Sequence, residues 1–301
     1  MNRTTKILSR IIFRRIADPV IFGNFFIALC AAGLTLETYL LLGHPVKFDG
    51  LVFVTFFSTL ALYNFHRLMG IRRIKLEEQG LITGWAARNQ FVLLMLIVIG
   101  IGGIGFFIFQ LPAKIFITLI PLAAIAIFYE LPLVKHHRSF QRLRNLWMTK
   151  AFLITAVWAG STVLLPAMNI NSSLLGYEVW LTLAERMIFI FILALCFDAR
   201  DITFDVKDEL RTIPIVYGLD RTKQFYKILS AFFFVITFIH YILLGHRWAE
   251  GIAMTISIAL TYYVVSKTHP KRKSDYYYMF IADGMMLAQF LLTWVLSVIF
   301  R

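Results

Sequence analysis

Nine long apolar runs, separated by short charged loops, leave few folds open to this sequence. They cover about residues 20–42, 48–67, 91–110, 113–130, 145–166, 181–198, 225–245, 250–266 and 276–298. A spanning helix needs about 20 apolar residues, and only helices and closed barrels satisfy their backbone polar groups in lipid. The runs are long and continuous, so helices are the choice. The predicted fold is all-α: a polytopic transmembrane helical bundle of nine helices, forming one membrane-embedded domain over residues 1–301. No internal repeat or long linker divides it. Gln110-Leu111-Pro112 separates two spans that could pass for one, and Pro112 suits the first turn of the second.

Composition agrees with a lipid solvent. Of the 301 residues, 59% are hydrophobic and 16% charged, against about 25% charged in ordinary globular domains. The formal net charge of +13 raises the question of nucleic acid, and its placement answers it. Twenty-four of the 30 Lys and Arg residues fall at the N-terminus and in the second, fourth, sixth and eighth loops. The opposite side has Lys47, Lys114, Arg247 and Arg301. By the positive-inside rule, the N-terminus is cytoplasmic, the C-terminus is on the far side, and the charge is membrane topology rather than a nucleic-acid surface. The setting this implies is a multi-pass protein of a bacterial inner membrane, in contact with its lipids.

Residues 1–18 read as an interfacial amphipathic helix, with Ile7, Leu8, Ile11 and Ile12 at helical spacing among Lys and Arg. The run from Val20 to Leu42 is too long for a signal-peptide core and is followed by further spans. Cys30 and Cys196 both lie inside apolar runs and read as small packing residues rather than a disulfide or metal site. Glu37, Glu178, Glu185 and Arg186 gather toward the far side and read as a structural ion-pair group.

The chemistry concentrates at the other face. Asp198, Asp201, Asp205, Asp208 and Glu209 follow one another at the end of the sixth span. Asp201, Asp205 and Glu209 are four apart, which on a helix stacks three carboxylates along one face. Like charges so placed repel, and a hard divalent cation such as Mg2+ would relieve them. Neutralisation by Arg200, Lys207 and Arg211 at a solvated helix end is the simpler alternative. Asp283 and Asn24 lie inside spans near the same face, where intramembrane acids usually mark function. Lys150, just inside the fifth span, reads as a snorkelling lysine.

The stretch Arg200-Asp201-Ile-x-x-Asp205, followed by Thr212-Ile-Pro214-Ile-Val-x-Gly218, resembles the second aspartate-rich motif of the UbiA family of intramembrane prenyltransferases. Tyr129-Glu-Leu-Pro132-Leu-Val-Lys135 resembles the segment after that family's fourth helix, and Asp283-Gly284 is similar to its last helix. The resemblance spans nearly the whole chain and implies a UbiA-like bundle of nine helices. It further implies Mg2+-dependent transfer of an isoprenoid from a prenyl diphosphate to an aromatic or other lipophilic acceptor. Asp201 and Asp205 would be the catalytic metal ligands, Asp198 and Glu209 auxiliary metal ligands, and Tyr129, Lys135, Arg138 and Asp283 substrate contacts.

The family's first motif, N-D-x-x-D-x-x-x-D, meets Asn64-Phe65-His66-Arg67-Leu68-Met69-Gly70-Ile71-Arg72 here. Phe65, Leu68 and Arg72 stand where acids are expected. Either Asn64, His66, Arg67 and Arg72 contact the diphosphate directly, as cationic side chains do, or transfer has been lost and a prenyl-lipid-binding protein of the same fold remains. A secondary transporter is the third reading. Against it, the acids sit at one face and no inverted repeat is visible.

Overall fold

The computed structural model describes residues 17–71, 81–128, 134–136, 139–141, 149–269 and 274–300. All but the last two residues of the predicted amphipathic helix lie outside them. Among the described residues the fold is helical apart from one small hairpin. Helix α1 (Phe25–Leu41) is followed by α2 (Gly50–Ile71), a short α3 (Leu81–Arg88) and α4 (Gln90–Phe107). After Pro112 comes α5 (Phe116–Phe128). Strands β1 (Val134–His136) and β2 (Ser139–Gln141) pair antiparallel, with Lys135 opposite Phe140. Then come α6 (Thr149–Ala159, continuing to Asn169), α7 (Tyr177–Lys207), α8 (Ile213–Thr237, continuing to Leu244), α9 (Trp248–Ser266) and α10 (Asp283–Ile299, preceded by wide turns over Tyr277–Ala282).

Seven of these helical stretches are long and apolar enough to cross a membrane, and the shorter apolar helices Phe25–Leu41 and Ala113–Phe128 complete the nine. Helix α3 is too short to span and packs Trp85 against Phe22. The spanning helices pack one against the next: α4 on α2, α2 on α1, α1 on α10, α10 on α9, α9 on α8, α8 on α7, α7 on α6, and α6 on α5. Outward-facing side chains such as Phe91, Val98, Ile101 and Phe106 on α4 are exposed, as lipid-facing residues are. The inward faces bury Phe189, Leu193, Leu195, Cys196, Cys30 and Tyr278 in one core. Gly100 and Gly103 let α4 approach α2 closely, because a Cβ on Gly103 would lie 2.3 Å from the Phe57 ring. Such small-residue contacts are what membrane helices use in place of a hydrophobic driving force.

Two departures from the predicted span boundaries shape the functional end. Helix α7 does not stop near residue 198 but runs on to Lys207, carrying the acidic stripe out as helix. Helix α8 restarts at Ile213, where extended Thr212 precedes it and Pro214 sits in its first turn. Its missing N–H there removes no helical bond. Gly218, at φ 83°, then breaks the helical path, a conformation that favours glycine.

Candidate functional site

A cavity of about 710 Å3 opens inside the bundle at the face that carries the acids. This is the size range of small-molecule sites. Its mouth is lined by Lys150, Arg200, Asp201, Asp205 and Lys207, and its deeper wall by Ile154, Trp158, Ile190, Leu193 and Met286. Lys150 and Trp158 are eight residues apart on α6, so at 1.5 Å per residue the apolar wall descends about 12 Å from the charged mouth. Trp158 Nε1 donates to the Tyr63 hydroxyl at 3.1 Å, tying α6 to α2 at that depth.

The acidic stripe faces this cavity through Asp198, Asp201 and Asp205, which recur on one side of α7. Lys150 does not snorkel outward. Its Nζ lies 2.9 Å from Asp198 Oδ1 and 3.0 and 2.8 Å from the two oxygens of Asp205. Two buried carboxylates on the facing helix draw it inward more strongly than the interface draws it out. Arg200 holds Asp201 with two hydrogen bonds, from Nε at 2.7 Å and Nη2 at 3.0 Å. Its guanidinium also lies over the Phe197 and Tyr278 rings, at 4.8 and 5.5 Å from their centroids. Asp208 reaches the rim, whereas Glu209 lies beyond the helix end at φ 56° and is exposed, away from the cavity lining.

Across the cavity, Asn64 is fully buried. Its amide nitrogen donates to Gly23 O at 3.0 Å and Leu60 O at 2.8 Å, and its side-chain oxygen accepts from Asn24 Nδ2 at 3.0 Å. Asn24 Oδ1 in turn accepts from Arg67 Nη2 at 2.9 Å. Arg67 Nη1 is buried with no hydrogen-bond partner among the described residues. His66, Arg67 and Asp283 all line the cavity. Arg72, Tyr129 and Arg138 lie outside the described residues, and of Lys135 only the backbone, in β1, is described.

Sequence reasoning gave Asn24 no specific task, yet it is the joint of this network. It takes a left-handed conformation (φ 62°) at the break before α1, which sends its amide to both Asn64 and Arg67. The signal was present in Gly23-Asn24 interrupting an apolar run, since Asn tolerates that conformation better than most residues.

As they stand, the carboxylates do not fit a resident Mg2+. The ammonium of Lys150 bridges Asp198 and Asp205, Arg200 occupies both oxygens of Asp201, and Glu209 is elsewhere. Among the described residues no three His, Cys, Asp or Glu side chains gather as ligands.

A second polar cluster lies deeper. Glu185 and Arg186 are 13 and 12 residues before Asp198 on α7, about 18 Å farther along the helix. Arg186 Nη2 is 2.7 Å from Glu37 Oε2, and Thr293 donates to Glu37 Oε1 at 3.1 Å. Glu185 accepts from Thr237 at 2.8 Å and Tyr241 at 3.2 Å, and lies 3.1 Å from His240 Nδ1. Glu178, grouped with them on sequence, is exposed instead.

No family model matches the sequence, and no curated protein matches it. Solved structures do. A UbiA homolog from Archaeoglobus fulgidus bound to GPP and Mg2+ superposes with a TM-score of 0.61, covering 95% of this chain and 99% of that one at 10% identity. A digeranylgeranylglyceryl phosphate synthase gives 0.54 over 94% and 98% at 12% identity. The apo UbiA homolog from Aeropyrum pernix K1 gives 0.53 over 94% and 98% at 17% identity. The chain therefore has the UbiA-type fold over nearly its whole length, as the sequence motifs imply.

Proposed function

We propose that this protein is an intramembrane prenyltransferase, which takes an isoprenoid diphosphate with its head at the charged mouth and its tail along the apolar wall. One observation carries the reading: a single cavity joins a cluster of cations and carboxylates to an apolar pocket about 12 Å deep inside a membrane bundle. A lipophilic anion has that shape and polarity. The fold likeness to a UbiA homolog bound to GPP and Mg2+ supports it. Lys150 and Arg200 are the groups that meet the diphosphate oxygens, exchanging their intramolecular carboxylates for the incoming anion. Mg2+ enters this reading as the counter-ion of the diphosphate substrate. The mouth is taken as cytoplasmic from the distribution of Lys and Arg. Reporter fusions after Lys223 and after Arg301 should then lie on opposite sides of the membrane.

A second reading, a non-catalytic prenyl-lipid-binding protein, has one observation in its favour. The carboxylates are already neutralised by Lys150 and Arg200, while Phe65 and Leu68 stand where the family's first motif has acids. Both readings predict binding of geranyl or farnesyl diphosphate, measured with and without Mg2+. Both also predict weaker binding in Lys150→Met and Arg200→Met, by about tenfold or 1.4 kcal/mol. Release of inorganic diphosphate in the presence of acceptor-containing lipid extract selects the transferase. Binding without release selects the lipid-binding protein, and no binding removes both.

A further inference from the structure

Every cavity carboxylate of the α7 stripe from Asp198 to Asp205 touches a cation, but Asp283 does not. It is 7% exposed and lines the cavity. Among the described residues its side chain makes no hydrogen bond and no ion pair. The guanidinium groups of Arg200 and Arg67 act on it from beyond contact distance. A buried carboxylate without a partner is costly to keep, and intramembrane acids of this kind mark function.

Two further features converge on the same place. The helix widens over Tyr277–Ala282, immediately before Asp283, and such wide turns recur at functional sites. Facing the same cavity, Arg67 is held by Asn24 through Nη2 while its buried Nη1 has no partner. Asn24 reaches it from a left-handed backbone, a strained conformation for a residue other than glycine. Among the described residues, Arg67 Nη1 and the Asp283 carboxylate thus face the same cavity from different helices without a hydrogen-bond partner.

We infer that Asp283 and Arg67 form an acceptor-activating pair and that the acceptor presents a hydroxyl group to them. This rests on the transferase reading above. A hydroxyl matches both groups at once: Arg67 Nη1 donates to its oxygen, and its proton points at the Asp283 carboxylate. In the transfer, the acceptor oxygen forms the new bond to C1 of the prenyl group. The C1–O bond to diphosphate breaks, and its electron pair leaves with the diphosphate. The hydroxyl proton passes to Asp283, which returns it to water at the mouth. Asp283 is then the catalytic base and Arg67 the group that orients the nucleophile. An acceptor offering only a carbon nucleophile would leave both unmatched.

The test uses the full chain in lipid nanodiscs with geranyl diphosphate and 1-decanol, a membrane-partitioning alcohol, as the probe acceptor. Wild type should form geranyl decyl ether. Asp283→Asn should lower kcat for the ether by about 100-fold or more while its Kd for geranyl diphosphate stays within about threefold of wild type. Asp283→Glu should recover part of the rate, and Arg67→Gln should raise KM for decanol. Ether formation by Asp283→Asn at the wild-type rate overturns the inference. So does a parallel loss of diphosphate affinity in both Asp283 variants, which marks a structural role, or binding of geranyl diphosphate by wild type with no ether formed. Each of those leaves the transferase reading standing. A wild type that binds no geranyl diphosphate removes that reading, and the inference with it.

Discussion

The bundle holds two clusters of buried charge about 18 Å apart along α7, and they are built differently. In the deep cluster every charged side chain meets its complement: Glu37 meets Arg186, and Glu185 meets Thr237, Tyr241 and His240. Helices α1, α7, α8 and α10 are tied there. At the mouth, by contrast, Lys150 and Arg200 hold their carboxylates beside an open cavity, while the Asp283 carboxylate and one nitrogen of Arg67 have no hydrogen bond among the described residues. Charge that is matched and sealed fastens helices. Charge that is partly matched and faces a cavity is poised for a ligand.

The difference predicts graded effects on unfolding, measured in detergent or bicelles. The largest belongs to Arg186→Met, which leaves Glu37 buried without its cation and should destabilise by about 3–5 kcal/mol. The double variant Glu37→Leu/Arg186→Met should recover most of that loss, because it removes both charges together. A double variant as unstable as the single would break the account of the deep cluster.

Lys150→Met should cost less, about 1–3 kcal/mol. The carboxylates it abandons face a cavity open to the mouth, where water can reach them. A loss equal to that of Arg186→Met would mean that the mouth is sealed after all.

Asn24→Ala should cost about 1–2 kcal/mol, from the lost hydrogen bonds to Asn64 and Arg67 and the strain of a left-handed alanine. Asn24→Gly should cost less, because glycine removes the strain. Thr237→Val has the smallest expected effect, about 1 kcal/mol, since Glu185 keeps Tyr241 and His240 as partners.

Much of this contrast was legible in the sequence, unevenly. The nine spans followed from apolar run length. The acidic stripe was visible from spacing alone, because a helix repeats its face every three to four residues. Its partners were not. Lys150 lies 48 residues before Asp198, and only the packing of α6 on α7 brings the two together. Asn24, Asn64 and Arg67 likewise meet through the approach of α1 and α2, which no local pattern encodes. Glu209 illustrates the limit of spacing: its four-residue interval from Asp205 counts only while the helix lasts, and α7 ends at Lys207. Nothing in the run of residues around Asp283 revealed that its carboxylate would lack a hydrogen bond among the described residues.

The central claim is that the mouth and the apolar wall form one site for a prenyl diphosphate. Photolabelling tests it most directly, with a geranyl diphosphate analogue that carries a diazirine at the tail and is mapped by mass spectrometry on the full chain in nanodiscs. The account predicts adducts on Ile154, Trp158, Ile190, Leu193 or Met286, suppressed by excess unlabelled geranyl diphosphate. Adducts confined to outward-facing residues such as Phe91, Val98 or Phe106 of α4, unaffected by competitor, would contradict it.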